Sequence, residues 1–238
     1  MKERPGLSVK ENLMSVRERI EKAAGRSGRS ASDIQLVGVT KGVPAGEILE
    51  AIEAGVSIFG ENYVQEATGK IGAIGRNVKW HMIGHLQRNK VKDAIHLFDV
   101  IETVDNYKMA EILNTHAEAR NSVQEILVQV NLSHEESKFG VDPDVFSSLI
   151  EDIILRRKWL LLVGLMTIPP FFEDSEKTRP YFSALRDLRD TIGSEGLIES
   201  GSLDLSMGMS GDFEAAIEEG ATMVRVGTAI FGPRIQSR

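Results

Sequence analysis

Eight short apolar runs of strand length alternate along this chain with longer segments in which apolar residues recur at helical spacing. Each run places apolar and β-branched residues at consecutive positions, which is typical of strands buried on both faces of a parallel sheet. The runs lie at about residues 34–40, 56–60, 79–83, 99–103, 125–131, 159–166, 202–206 and 222–226. Strands that alternate with helices in this way predict repeated βαβ units.

The number of these units selects the fold. Eight of them in 238 residues predict an α/β protein with a single (β/α)8 TIM barrel. An amphipathic segment at about residues 9–25 precedes the first run and predicts an extra N-terminal helix. Because no linker rich in Pro, Gly or Ser divides the chain, we expect residues 1–238 to form one domain. The loops at the carboxyl ends of the strands should then build the functional face.

Composition excludes several classes of function. The net charge of −7, from 28 basic and 35 acidic side chains without a long basic run, gives no support to a nucleic acid partner. The absence of cysteine excludes disulfides, thiolate catalysis and cysteine-ligated metals. No apolar segment is long enough to cross a bilayer, and the N-terminal residues contain no apolar signal core. We therefore expect a cytoplasmic protein with no membrane partner.

Lys41 follows directly on the first run. Alternation along a strand places Lys41 on the same face as Val37 and Val39, and if that face points into the barrel the amine enters its mouth. A solvated lysine at a strand end is the ordinary alternative. An amine enclosed near another cation would lose its proton readily, which is what a Schiff-base lysine requires.

Two turns of small residues follow the seventh and eighth runs. The first spans residues 206–212 and carries hydroxyl groups at Ser206 and Ser210, and the second contains Gly227 and Thr228. Backbone N–H groups and hydroxyls in such turns bind phosphate, and TIM barrels commonly place a phosphate site in these two loops. The alternative for the first turn is an ordinary glycine turn that ends in a helix N-cap.

Arg225 and Asn62 complete the candidate site. Arg225 lies in the last run, where a buried cation needs an acceptor, either a ligand's pyridine nitrogen or a protein carboxylate. Asn62 follows the second run, and its side chain is suited either to contact polar substituents on the ring of such a ligand or to cap a helix. A Schiff-base lysine facing a phosphate site describes a receptor for a phosphorylated aldehyde. Pyridoxal 5'-phosphate (PLP) is the leading candidate.

Two other features of the rim carry weaker signals. His81 and His85 are four residues apart across a glycine turn, a spacing that is not helical, so we expect no metal site. Lys138, after the fifth run, should lie on the rim, where it is solvated or assists PLP exchange. Residues 169–174 form an irregular segment that serves as a flap or as a lead-in to a helix.

The chain resembles the YggS/PROSC family of pyridoxal-phosphate-binding proteins, the PLP homeostasis proteins. The matching segments are VTK at 39–41, FGENYVQE at 59–66, WHMIG at 80–84, LQRNK at 86–90, GLM at 164–166, SMGMS at 206–210 and MVRVGTAIFG at 223–232. The resemblance implies a barrel like the N-terminal domain of alanine racemase, with PLP held as an aldimine on Lys41 and Arg225 near the pyridine nitrogen. It also implies phosphate contacts from Ser206, Ser210, Gly227 and Thr228.

The resemblance further implies a protein that carries or buffers PLP in intracellular vitamin B6 and amino-acid homeostasis, without efficient turnover. Racemisation needs acid-base groups on both faces of the substrate's α-carbon. Because the sequence ends soon after the eighth run, we expect no second domain to supply one of them. The alternatives are a racemase-like PLP enzyme acting on a small amino acid and a Schiff-base aldolase-type barrel acting on a sugar phosphate. We expect a monomer, with PLP-accepting apoenzymes as candidate partners.

Overall fold

Eight parallel strands form a closed barrel in a computed structural model that describes residues 8–133, 135, 138–199 and 201–233. The strands pair in chain order, and β1 pairs with β8 to close the sheet. They are β1 Gln35–Val39, β2 Ile58–Glu61, β3 Lys79–Met82, β4 Val100–Val104, β5 Gln124–Gln129, β6 Leu160–Met166, β7 Asp204–Ser206 and β8 Met223–Val226. The predicted TIM barrel is confirmed, and every predicted strand overlaps an observed one. The predicted single domain over 1–238 includes terminal residues that lie outside the described part.

Helices surround the barrel. They are α1 Val9–Arg26, α2 Ala45–Glu53, α3 Val64–Ile74, α4 Val91–Leu97, α5 Tyr107–Ala119, α6 Pro143–Arg156, α7 Arg179–Ser194, α8 Phe213–Glu218 and α9 Thr228–Phe231. The predicted extra helix is α1, which begins at a capping box between Ser8 and Glu11. Its buried face packs against α8 and α9. Among the described residues, no helix combines the length and the apolar composition that crossing a membrane requires.

Two apolar layers hold the barrel together. The larger core lies between strands and helices, and Phe59, Trp80 and Phe146 are fully buried in it. A small second cluster joins Val100 and Leu127 to Met166. Each fully buried side chain of this size stabilises the fold by about 1.5–3 kcal/mol. The barrel interior is therefore packed with apolar side chains, and one cavity opens at the carboxyl ends of the strands.

Candidate functional site

A cavity of about 340 Å³ opens where the loops after β2, β6, β7 and β8 meet. Apolar groups from Val39, Ile83 and the segment 168–172 form part of its wall. The cavity also brings together five of the seven predicted site residues, which are Asn62, Ser210, Arg225, Gly227 and Thr228. Its size and mixed lining suit a small ligand with one charged end.

The hydroxyl of Ser210 is the best-defined polar group on the cavity wall. Its oxygen accepts hydrogen bonds from the backbone N–H groups of Gly227 and Ala229, each at 3.2 Å. A serine hydroxyl has two acceptor positions and one hydrogen to donate. Because the two N–H groups occupy the acceptor positions, the Ser210 hydrogen remains available to a ligand. The loops after β7 and β8 thus meet at one hydroxyl group in the cavity wall.

Two further donors lie beside this hydroxyl. Gly211 and Thr228 are exposed residues of the same cavity wall. Within the part of the chain that the structure describes, their backbone N–H groups donate to no protein atom. Together with Ser210 they form a cradle of donors, and the carboxylate of Asp212 in the same described wall accepts a hydrogen bond from the Met209 N–H at 2.6 Å. This arrangement suits a phosphate group.

Arg225 forms the inner wall of the cavity and is only 3% exposed. Its guanidinium donates to the Ser206 hydroxyl at 2.6 Å and to the Thr167 carbonyl oxygen at 2.8 Å, and Glu102 lies 4.0 Å away. Burial lowers the pKa of Arg225, while the charges of Glu102 and Asp212 act in the opposite direction. The protein carboxylate considered for Arg225 from sequence is therefore present, and the guanidinium also borders the cavity.

Ser206 lies below the cavity wall, in a buried chain of polar groups. Its hydroxyl donates to Oε2 of Glu102 at 2.6 Å, and Oε1 of Glu102 lies 2.7 Å from Nδ1 of His81. All these groups are buried. Because the Ser206 oxygen is bonded on both sides, it differs from Ser210, and its phosphate contact stays a prediction.

Sequence reasoning did not identify Glu102 or the role of His81. A carboxylate inside the apolar run of β4 was an available signal, since an unpaired buried charge is costly. Burial opposes ionisation of Glu102, but hydrogen bonds from His81 and Ser206 and the charge of Arg225 outweigh it, so the pKa of Glu102 is lowered. Glu102 is therefore the counter-charge of Arg225 inside the barrel.

Lys41 lies two residues beyond the cavity-lining Val39 but is not itself one of the described lining residues. Its side chain is partly buried, and its amine sits 5.0 Å from the centre of the Tyr63 ring. A lysine over an aromatic face is attracted by the ring electrons. The structure thus places the Lys41 amine against the loop after β2, and its entry into the cavity stays a prediction.

Asn62 is positioned by a close approach of two loops. A Cβ atom at Gly84 would lie 2.3 Å from the carbonyl oxygen of Asn62 and 2.6 Å from its Cα. Only glycine permits this contact. The loop after β3 therefore supports the loop that carries Asn62 into the cavity wall.

The two histidines, Lys138 and the segment 169–174, whose signals in the sequence are weaker, lie in different environments. His81 pairs with Glu102 inside the barrel, whereas the His85 ring stacks on Phe139 at 3.7 Å. Among the described residues, no group of three His, Cys, Asp or Glu is arranged to hold a metal ion. Lys138 lies 3.1 Å from Glu135, with its side chain 27% exposed, and its part in PLP exchange stays a prediction. The segment 169–174 contributes to the cavity wall.

Comparisons with known proteins place the chain in a family. The sequence model of the alanine racemase N-terminal domain matches residues 12–234. A pyridoxal phosphate homeostasis protein of Aquifex aeolicus is 44% identical over 225 residues, covering 94% of this chain and 97% of the relative. The human pyridoxal phosphate homeostasis protein is 40% identical over 239 residues, covering 95% of this chain and 86% of the relative.

Solved structures agree with this placement. PipY of Synechococcus elongatus PCC7942, solved with PLP bound, has a TM-score of 0.82 and 32% identity, covering 94% of this chain and all of PipY, 100%. An alanine racemase of Clostridium difficile 630 has a TM-score of 0.71 at 18% identity and covers 97% of this chain and 57% of the racemase, so it shows the shared fold alone. The chain belongs to the alanine racemase N-terminal domain family and, within it, to the pyridoxal phosphate homeostasis proteins.

Proposed function

We propose that this protein binds PLP in the cavity at the barrel mouth and carries or buffers it in vitamin B6 and amino-acid homeostasis. The observation that carries the proposal is the donor cradle of Ser210, Gly211 and Thr228, which lies in the same cavity wall as Arg225. The relatives named pyridoxal phosphate homeostasis proteins and the PLP-bound PipY structure support it. PLP, when bound, supplies a reactive aldehyde and an electron-accepting ring.

Each predicted residue has a role that its position supports. The amine of Lys41 would bond to the aldehyde carbon, whose oxygen would leave as water, and Asn62 of the cavity wall would contact the ring substituents. The Ser210 hydroxyl and the free N–H of Thr228 donate to the phosphate. Gly227 contributes indirectly, since its N–H orients the Ser210 oxygen. Ser206 acts from below by orienting Arg225 toward the ring nitrogen.

The cavity lining favours carriage of the cofactor over efficient turnover. Moving a proton at a substrate's α-carbon needs an acid-base group on each face. Among the described lining residues, the ionisable side chains are Arg225 and Asp212. Arg225 is tied to Ser206 and Thr167, and Asp212 accepts a hydrogen bond from the Met209 N–H at 2.6 Å. Within the described lining, no free acid-base group is therefore available to act opposite Lys41, which supports carriage of PLP over racemisation.

A spectroscopic titration tests binding. Purified protein is titrated with PLP while the visible absorbance is followed, beside Lys41→Ala and Lys108→Ala. Lys108 is the matched control because it is an exposed lysine on α5 that pairs with Glu111. We expect a saturable visible band in the wild type and in Lys108→Ala that Lys41→Ala lacks. A wild type without a band would contradict the proposal and favour the sugar-phosphate aldolase alternative.

A second assay separates carriage from catalysis. PLP-loaded protein is mixed with an apoenzyme that needs PLP, and separately with small amino acids. We expect the apoenzyme to gain activity while the amino acids are racemised no faster than by free PLP. Racemisation well above the free-PLP rate would favour the racemase-like alternative. A monomeric protein in the cytoplasm, with apoenzymes as partners, stays part of this proposal.

A further inference from the structure

Two charged side chains of α3 hold the backbone on both sides of Lys41. The ammonium group of Lys70 donates to the carbonyl oxygen of Thr40 at 2.5 Å, which belongs to the peptide group before Lys41. The carboxylate of Glu66 accepts from the N–H of Gly42 at 2.6 Å, which belongs to the peptide group after it. Hydrogen bonds to charged groups are the stronger kind. The Cα of Lys41 is therefore fixed between two charge-assisted contacts.

The two side chains are also tied to each other. Glu66 and Lys70 lie one turn apart on α3, and their charged groups are 2.7 Å apart. Lys70 also donates to Oε1 of Glu61 at 2.7 Å, and Glu61 is fully buried at the end of β2. The Thr40 hydroxyl donates to the same Glu61 oxygen. The segment that carries Lys41 is thus joined to α3 and β2 through one cluster.

Burying the charged groups of this cluster has a cost in folding free energy. The second oxygen of Glu61, Oε2, is buried and has no hydrogen-bond partner among the described residues. Burial raises the pKa of Glu61, and the hydrogen bonds from Lys70 and Thr40 offset this only in part. Buried ion pairs add little to stability compared with apolar packing of the same volume. The cluster is therefore better explained by a role in the functional site around Lys41 than by a contribution to stability.

We propose that Lys70 and Glu66 are positioning residues for Lys41, which fix the peptide groups on either side of it and set the balance of charge beside its amine. The proposal rests on the proposed function, in which Lys41 is the amine that holds PLP. Lys70 itself stays occupied by three acceptors, from Thr40, Glu61 and Glu66. Because the amine of Lys70 is engaged in this way, the cluster also directs the aldehyde of PLP to Lys41 in preference to Lys70.

The charges of the cluster predict opposite effects of two substitutions. Glu66 and Lys41 interact electrostatically, and the Tyr63 ring also faces the amine. Removing the negative charge of Glu66 favours the neutral amine of Lys41. Removing the positive charge of Lys70 leaves the negative charge of Glu66 unopposed and favours the protonated amine. Arg225 of β8, at the cavity wall, is bonded to Ser206 and Thr167, which neither substitution changes.

The test measures the rate of covalent adduct formation with PLP as a function of pH. In Lys70→Met we expect the rate to fall at least about tenfold, since small displacements of a reacting group have effects of this size, and the pH of half-maximal rate to rise. In Glu66→Gln, which keeps an acceptor for the Gly42 N–H, that pH should fall. Lys70→Arg should restore most of the rate. Glu111→Gln on α5, at an exposed pair, is the control that should match the wild type.

A second readout does not depend on PLP. In Glu66→Ala the Gly42 N–H loses its acceptor, so its hydrogen exchange should accelerate at least about tenfold, while exchange in α5 is unchanged. Because the Glu66 side chain is 28% exposed, this variant tests the idea even where Lys70→Met does not fold. Wild-type protein that forms no adduct contradicts the proposed function. A normal wild-type rate, with Lys70→Met and Glu66→Gln indistinguishable from it in rate and pH profile, contradicts the positioning role.

Discussion

The guanidinium of Arg225 and the carboxylate of Glu102 lie 4.0 Å apart inside the barrel, with the Ser206 hydroxyl hydrogen bonded to both. His81 contacts the other oxygen of Glu102 at 2.7 Å. Both charged groups are buried, so neither can turn to water if the other is removed. The inner face of the candidate site is therefore a single electrostatic unit built by four strands.

Glu102→Gln should destabilise the protein. The substitution keeps the shape of the side chain but removes the nearest counter-charge of the buried Arg225, which costs about 3 kcal/mol. Chemical denaturation of the wild type and the variant at pH 7 measures the difference. The exposed Glu111→Gln serves as control and should leave the free energy of unfolding unchanged. Equal stability of wild type and Glu102→Gln would show that Arg225 does not depend on Glu102.

The contribution of Glu102 should also depend on pH. Its folded-state pKa is lowered below the ordinary value of 4.5, so its stabilising effect is present above that value and is lost as the pH falls toward the lowered one. The difference in unfolding free energy between the wild type and Glu102→Gln should therefore narrow between pH 5 and about pH 3. Denaturation curves at both ends of this range check the sign, and a difference that widens toward low pH would contradict it.

Ser210→Ala should weaken the binding of PLP and spare its unphosphorylated analogue. The substitution removes one donor from the phosphate and also leaves the N–H groups of Gly227 and Ala229 without their acceptor. We expect a loss of about tenfold in affinity for PLP, roughly 1.4 kcal/mol, the size of one hydrogen bond to a charged group. Pyridoxal, which lacks the phosphate, should bind the variant and the wild type alike. Equal losses of affinity for PLP and pyridoxal would show that the phosphate does not bind at Ser210.

Much of this architecture could be predicted from the order of residues, because strands buried on both faces leave continuous apolar runs. The glycine and serine turns after β7 and β8 were visible for a similar reason, since small residues mark a close approach to a ligand. The pairing of Glu102 with His81 and Arg225 could not be predicted. It depends on the register between strands, such as Gly60 opposite His81 and Val37 opposite Arg225.

The contacts of Glu66 and Lys70 with the backbone around Lys41 could not be predicted from the sequence either. Glu66 and Lys70 have the spacing of an ordinary surface ion pair on a helix, which usually contributes little. Only the packing of α3 against β2 brings Lys70 to the carbonyl oxygen of Thr40. Sequence reasoning likewise placed Ser206 and Ser210 in one group. The hydrogen bonds separate them into an inner residue beside Glu102 and an outer residue at the cavity.

Gly84→Ala should lower stability by disturbing the loop that carries Asn62. The new Cβ would lie 2.3 Å from the Asn62 carbonyl oxygen, and relieving such a contact costs about 1–3 kcal/mol. Gly72→Ala is a matched control, because a Cβ there meets nothing within 4 Å and the residue lies inside α3. It should stabilise the protein by about 0.5–1 kcal/mol. Thermal unfolding of both variants compares these opposite shifts, and a Gly84→Ala protein as stable as the wild type would exclude the steric account.

The central claim, that Lys41 holds PLP, is tested most directly by trapping the adduct. Protein saturated with PLP is reduced with borohydride, digested and mapped by mass spectrometry. The account predicts one modified peptide, carrying the label on Lys41, with Lys70 and Lys138 unmodified. A label on Lys70 or Lys138, or no labelled peptide at saturating PLP, would contradict it.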